Sequence, residues 1–187
     1  MNDTKLLDNI GGLIMTKKIV VLTGSPHKPG TSEILADYFI KGTKEVGHDV
    51  SRFDAGHSKV EFLQVDEHLN GIIPQDELDT FFPNILDADL LVFVSPLYYY
   101  GFTAQLKAVI DRFYPYNHYL KDKDVMLLAT GYGSKADFQA LVHYYESLSD
   151  YMRWHDKGQL LLNGTYLPSD VGERANDAYQ MGKTYGL

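Results

Sequence analysis

The residues best suited to chemistry in this chain lie in one loop of small residues, and the chemistry they suit is anion binding. Residues 22–32 read Leu-Thr-Gly-Ser-Pro-His-Lys-Pro-Gly-Thr-Ser. The two glycines let the backbone approach a ligand closely, and the hydroxyl groups of Ser25, Thr31 and Ser32 can donate hydrogen bonds. An apolar run precedes this loop and a helical pattern follows it. Strand, small-residue turn and helix N-terminus together direct backbone N–H groups at a phosphate.

Two better-known phosphate motifs are excluded. The dinucleotide pattern Gly-x-Gly-x-x-Gly fails because no second glycine stands at the required offset between Gly24 and Gly30, and no Gly-Lys-Ser/Thr follows as a P-loop requires. A loop with hydroxyls and few cations suits a phosphate monoester held mainly by neutral donors, and flavin mononucleotide (FMN) carries such a group. The competing interpretation is that Thr31 or Ser32 caps the helix and binds nothing.

Two further loops carry residues for a planar ligand. Residues 95–101 include three consecutive tyrosines, which cannot all face the core because neighbouring side chains diverge. Residues 130–134 read Thr-Gly-Tyr-Gly-Ser. Aromatic faces beside backbone polar groups suit a conjugated ring such as an isoalloxazine. The structural alternative is that the tyrosines cover the sheet edge or pack on a partner subunit.

Each of these loops follows an apolar run typical of a buried strand. Five segments have strand patterns, and helical patterns separate them: 19–22, 49–53, 90–94, 125–129 and 160–162. This alternation predicts an α/β fold, a three-layer, doubly wound, five-stranded parallel sheet. If the strand order is 2-1-3-4-5, the three loops meet at the carboxyl edge of the sheet, where ligands of such sheets bind.

Composition limits the domain organisation and the partners. The 187 residues, 44% hydrophobic and 22% charged, are typical of one globular domain, which we expect at residues 17–187 after an N-terminal extension of residues 1–16. The net charge of −8 disfavours nucleic acid and anionic membranes as partners. The chain contains no cysteine, which excludes disulfides, thiolate metal sites and cysteine nucleophiles. The seven histidines are scattered, so we expect no metal site.

Localisation follows from what the N-terminus lacks. It has no secretory signal pattern, and no apolar run approaches the length of about 18 residues that a membrane span needs. We therefore expect a cytoplasmic protein.

Segments 18–32 and 95–113 resemble the NADPH-dependent FMN reductase and iron–sulfur flavoprotein branch of the flavodoxin-like superfamily, and the likeness runs from about Lys17 to Gly133. It implies a flavodoxin-like fold and an FMN-dependent oxidoreductase, which passes a hydride from NAD(P)H through FMN to a small acceptor such as a quinone or a free flavin. It also implies a homodimer. The flavin supplies the redox chemistry, so no catalytic side chain is assigned.

The resemblance assigns cofactor-binding residues in three groups. The phosphate would be held by Ser25, His27, Thr31 and Ser32. The flavin ring would be contacted by Pro96, Leu97, Tyr98 and Tyr99. The other side of the ring would be lined by Thr130, Gly131 and Tyr132.

Two departures from the family pattern matter. Members of this branch often have arginine where this chain has His27, and a neutral histidine offers one donor and no bidentate fork. The cysteine cluster of the iron–sulfur members is absent from residues 64–75. Two other functions stay open at this point: a flavodoxin-like electron carrier that docks to protein partners, and an interaction module that keeps the fold without flavin.

Overall fold

The computed structural model describes residues 15–187, together with the backbone of two short antiparallel strands further upstream, Leu6–Leu7 and Leu13–Ile14. Most of the predicted extension, residues 1–16, lies outside the described residues. The division of the chain at residue 17 therefore stays a prediction.

The core of the fold is a five-stranded sheet in which every neighbouring pair is parallel. Its strands are β1 Lys18–Thr23, β2 Asp49–Asp54, β3 Leu90–Pro96, β4 Asp124–Thr130 and β5 His155–Leu162. Their spatial order is β2-β1-β3-β4-β5. The predicted fold class and the order 2-1-3-4-5 are both confirmed.

Helices cover both faces of this sheet. They are α1 Thr31–Glu45, α2 Glu77–Asp87, α3 Ala104–Asp111, α4 Gln139–Met152 and α5 Ala175–Thr184. Because strand side chains alternate, Val20 and Leu22 of β1 face the core under α2, α3 and α4, whereas Ile19 and Val21 face the core under α1 and α5. The result is the predicted three-layer arrangement. None of the helices within residues 15–187 combines the length and the apolar character that crossing a membrane requires.

Two stretches contain structure that no strand or helix pattern in the sequence indicates. Residues 54–75 contain a short antiparallel pair, Gln64–Val65 with Gly71–Ile72. The carboxylate of Asp66 stabilises the connecting turn, since it accepts hydrogen bonds from the backbone N–H of His68 (2.9 Å) and of Asn70 (2.8 Å). Ahead of helix α5, the chain forms two short 3-10 turns, Pro168–Asp170 and Gly172–Arg174.

Helices α1 and α5 pack with their backbones in close approach at two glycines. A methyl group on Gly42 would lie 2.1 Å from the carbonyl oxygen of Tyr179, and one on Gly182 would lie 2.3 Å from that of Phe39. Backbone cannot move aside as a flexible side chain can. We therefore expect Gly182→Ala to lower the free energy of unfolding by about 1–3 kcal/mol in urea denaturation. Gln180→Ala, an exposed change on α5, is the control, and equal midpoints for both variants would contradict the close packing.

Candidate functional site

The loops after β1, β3 and β4 meet at the carboxyl edge of the sheet, where they line a cavity of about 460 Å³ together with the loop after β5. Nine of the eleven residues assigned from sequence line this cavity: Ser25, His27, Thr31, Pro96, Leu97, Tyr98, Thr130, Gly131 and Tyr132. The predicted convergence of the three loops is therefore present. The binding role of each of these residues stays a prediction.

The other two assigned residues lie elsewhere. Ser32 is buried within the first turn of α1, and Tyr99 is completely exposed. The tyrosine loop is a tight turn, in which Tyr98 and Gly101 exchange two backbone hydrogen bonds of 3.1 Å. Tyr99 and Tyr100 occupy its two central positions with φ of 47° and 66°, which bulky residues seldom adopt. This turn leaves Tyr98 at the cavity and carries the next two side chains into solvent.

The loop after β1 folds back tightly on itself. The hydroxyl of Ser25 accepts a hydrogen bond from the backbone N–H of His27 (3.1 Å) and donates one to the His27 carbonyl (3.2 Å). A methyl group on Gly30 would lie 2.7 Å from that carbonyl and 2.7 Å from the Ser25 hydroxyl. Only glycine fits there, so the loop forms a narrow cradle in front of α1.

Helix α1 begins with no side-chain cap. Its N-cap residue is Gly30, and within residues 15–187 no side chain caps the first-turn N–H groups. The competing interpretation, in which Thr31 or Ser32 caps this helix, is therefore wrong. Glu33, the acidic residue of the first turn, forms an ion pair with Arg52, which reduces its repulsion of an incoming anion. The positive end of the helix is left open to a ligand in the cavity.

The charges near the cradle are mostly compensated. Lys28 forms an ion pair with Asp54, and the Nδ1 atom of His57 lies 3.1 Å from the same carboxylate. Burial raises the pKa of Asp54, but the hydrogen bonds from Lys28 and His57 outweigh it and hold that pKa below its ordinary value. Among the described residues that line the cavity there is no Lys, Arg, Asp or Glu. Neutral donors, with His27, are what this site offers to a phosphate.

The loops after β3 and β4 form two adjoining walls that are in direct contact. The backbone N–H of Leu97 donates to the carbonyl of Thr130 (2.7 Å), and the hydroxyl oxygens of Thr130 and Thr31 lie 2.7 Å apart. A methyl group on Gly131 would lie 3.2 Å from the Cβ of Leu97, so this glycine lets the walls approach. Burial raises the pKa of Tyr98. These walls suit a flat, largely apolar ring system.

Sequence reasoning missed the loop after β5, where Thr165, Tyr166, Leu167 and Pro168 close the fourth side of the cavity. Thr165 fastens this loop to the one after β4, because its backbone N–H donates to the Gly131 carbonyl (2.9 Å). A signal was available, since Gly-Thr follows the fifth apolar run much as small hydroxyl residues follow the first and fourth.

Comparison with known proteins decides the family. The sequence profile described as NADPH-dependent FMN reductase matches residues 17–165. The chain belongs to this family. The resemblance inferred from sequence is thereby confirmed, and FMN with NAD(P)H is the cofactor and donor pair of the family. The comparisons do not favour the alternative of a flavodoxin-like electron carrier.

Individual relatives agree with this assignment. YwqN of Bacillus subtilis (strain 168), named as an NAD(P)H-dependent FMN-containing oxidoreductase, is 27% identical over 171 residues, covering 82% of this chain and 88% of that protein. An iron–sulfur flavoprotein of Archaeoglobus fulgidus is 29% identical over 108 residues, covering 54% of this chain and 47% of that protein. The chain thus matches about half the length of the iron–sulfur flavoproteins.

Solved structures share the fold. An NAD(P)H:quinone oxidoreductase from Methanothermobacter marburgensis has a TM-score of 0.68 at 18% identity, over 90% of this chain and 96% of the other. The NADH:FMN oxidoreductase EmoB, solved in its apo form, has a TM-score of 0.67 at 23% identity, over 92% and 91%. At such identities the likeness establishes the fold alone.

Proposed function

We propose that this protein is an FMN-dependent NAD(P)H oxidoreductase that transfers a hydride from NAD(P)H to bound FMN and passes two electrons on to a small acceptor, such as a quinone or a free flavin. The observation that carries the proposal is the uncapped N-terminus of α1 at one end of a cavity with aromatic and apolar walls. A phosphate and a flat ring on one ligand match these two parts. Family membership supplies the cofactor class.

The residues fit FMN in two regions. The phosphate would meet the first-turn N–H groups of α1 and the hydroxyls of Ser25 and Thr31, all neutral donors around the Gly30 cradle. The ring would lie against the surface that Leu97 and Gly131 form together, with the Tyr98 phenol beside it. The cavity lies beside a loop without a dinucleotide fingerprint, which favours FMN over FAD.

When bound, FMN supplies the hydride acceptor and the two-electron donor. The task of the chain is then to bind and orient rather than to donate or accept protons. Backbone N–H groups and the positive end of α1 favour negative charge at the phosphate end of the cavity. The aromatic walls exclude water from one side of the ring, and the open mouth leaves room for a second planar molecule.

An anaerobic experiment tests this function. The FMN-loaded protein is mixed with NADPH or with NADH, and flavin absorbance near 450 nm is followed. We expect bleaching with at least one of the two donors, followed by full recovery when a quinone is added. A flavin that stays oxidised with both donors, although bound at one equivalent, would contradict an NAD(P)H oxidoreductase.

We also propose that the protein is a cytoplasmic homodimer. Support comes from the turn at residues 98–101, which carries Tyr99 and Tyr100 into solvent next to a cavity-lining tyrosine. Aromatic side chains are enriched in interface cores, and a costly backbone conformation is maintained only where the surroundings stabilise it.

For the dimer, light scattering at micromolar concentration should give about twice the 21.2 kDa of one chain. Tyr100→Ala should increase the dissociation constant by about fivefold or more, since truncation of a central aromatic residue costs upwards of about 1 kcal/mol. Tyr119→Ala removes another exposed tyrosine and serves as the control. A monomeric wild type would end the proposal, and equal dimer stability in both variants would exclude the tyrosine turn from the interface.

A further inference from the structure

An aromatic pair stands at the mouth of the cavity. The rings of Tyr132 and Tyr166 meet edge to face, with their centroids 5.8 Å apart and their planes at 73°. Both residues line the cavity, yet they are 77% and 74% exposed, respectively. Burial of apolar surface in this chain alone therefore does not account for the pairing. The two rings present aromatic surface to whatever enters.

Tyr166 is held in place by hydrogen bonds on both sides. Thr165 is almost fully buried, and its hydroxyl donates to the carbonyls of Leu162 (3.0 Å) and Gly131 (3.3 Å). On the other side, the carboxylate of Asp170 accepts from the backbone N–H of Tyr166 (3.0 Å) and of Leu167 (2.7 Å). The Tyr166 ring is thus carried by a loop whose backbone is fixed by hydrogen bonds.

The Asp170 anchor persists at neutral pH. Hydrogen bonds from the backbone of Leu167 and Tyr166 hold the pKa of Asp170 below its ordinary value. Like an ordinary aspartate, Asp170 is ionised at neutral pH, and the two bonds favour that charged form. Arg174 reinforces the same loop, because its Nη1 donates to the carbonyl of Asn163 (2.8 Å).

Tyr166 lies just beyond the segment that the family profile matches. The family profile matches residues 17–165, so it ends at Thr165 and leaves Tyr166 outside. One ring of the pair lies within the family match and the other lies beyond it.

We propose that Tyr166, paired edge to face with Tyr132, selects the acceptor and favours fused two-ring planar molecules over single rings. The inference rests on the proposed function, since it concerns the acceptor that enters the same cavity. No Lys, Arg, Asp or Glu lines the described walls, so recognition there depends on aromatic contact rather than on an ion pair. A fused ring offers more face to the two tyrosines than a single ring does, and aromatic pairs add affinity beyond simple area burial.

The electron balance of the selected reaction is complete with the donor already proposed. One NAD(P)H gives a hydride, and the quinone gains two electrons and two protons. One proton comes from the hydride donor and the other from water. The products are NAD(P)⁺ and the hydroquinone.

The test compares two quinones that differ by one fused ring, 2-methyl-1,4-naphthoquinone and 2-methyl-1,4-benzoquinone. For each variant, the ratio of their kcat/KM values is determined, with ferricyanide, which has no ring to stack, as the reference acceptor. We expect Tyr166→Ala to reduce the ratio by about threefold to tenfold, mainly through a higher KM for the two-ring acceptor. Tyr166→Phe keeps the ring and should keep the ratio. Tyr151→Ala removes an exposed tyrosine that does not line the cavity and should leave the ratio at the wild-type value.

The outcomes separate this inference from the function on which it rests. An unchanged ratio in Tyr166→Ala, in protein that still binds FMN and is reduced by NAD(P)H, overturns the selection and leaves the function standing. A loss of FMN affinity in Tyr166→Ala with no change in the ratio overturns it too, because Tyr166 would then serve the cofactor. If wild-type protein is not reduced by NAD(P)H, the proposed function fails and this inference falls with it.

Discussion

Replacing Arg112 by alanine is expected to lower the free energy of unfolding by about 3–5 kcal/mol, since removal of one partner leaves an unpaired buried charge. Arg112 and Asp76 form an ion pair of 2.7 Å in which each side chain is only 2% exposed. The guanidinium also donates to the carbonyls of Glu61 (3.1 Å) and Pro74 (3.4 Å). One side chain therefore fastens the segment before α2 to the end of α3.

Urea denaturation with a matched control measures this effect. Arg153→Ala removes a guanidinium that pairs with Asp122 on the surface, where such pairs contribute about 0–1 kcal/mol. The difference between the two variants isolates the effect of burial. A loss at Arg112 no larger than that at Arg153 would contradict the buried pair.

The same pair gives stability a defined pH dependence. Burial raises the pKa of Asp76, but hydrogen bonds from Arg112 and from two backbone N–H groups outweigh it, so that this pKa lies below its ordinary value. A carboxyl with a lowered pKa stabilises the fold fully above its unfolded-state pKa of about 3.9 and loses that contribution as the pH falls further. The free energy of unfolding of each protein is therefore expressed as a fraction of its own value at neutral pH. Between pH 5 and 3, this fraction should fall further for wild type than for Asp76→Asn. An equal fall in both proteins would exclude this carboxyl as the source of the acid sensitivity.

The second large effect concerns the cofactor. The double variant Ser25→Ala, Thr31→Ala should bind FMN about tenfold to hundredfold more weakly, because each hydroxyl that donates to a charged acceptor contributes about 1 kcal/mol or somewhat more. Ser25 also fixes the cradle through its bonds to His27, so its loss loosens the loop as well. Riboflavin lacks the phosphate, and its affinity should change little.

Fluorescence titration with both flavins measures the selectivity. Thr184→Ala, at the far end of α5, removes a hydroxyl that bonds only within its own helix and is the control. Equal losses of FMN and riboflavin affinity in the double variant would show that the loop after β1 does not hold the phosphate.

The sheet and its loops could be predicted because their signals are local. Central strands such as β3 are buried along their whole length and read as continuous apolar runs, whereas the edge strand β2 alternates. Arg112 could not be placed in this way. Its neighbour Asp111 suggests a surface pair, but its partner Asp76 lies 36 positions away, and no local pattern encodes that contact.

For the candidate site, the location of the cavity could be predicted from the sequence, but the positions of individual tyrosines could not. Small and aromatic residues after three strands indicate the cavity, and most of the assigned residues line it. The exposure of Tyr99 could not be foreseen, because it depends on positive φ at two consecutive tyrosines, against their backbone preference. Tyr166 was missed because its place at the cavity depends on the bond from the neighbouring Thr165 to Gly131, which lies 34 positions away and is brought close only by the fold.

The identity and amount of flavin on the protein test the central claim most directly. The protein is saturated with an equal mixture of FMN and FAD at micromolar concentration, separated from free flavin, denatured, and its released flavin is quantified by chromatography. The account predicts one FMN per chain with little FAD. Mostly FAD, or no flavin retained, would contradict a cavity built for a flavin monophosphate.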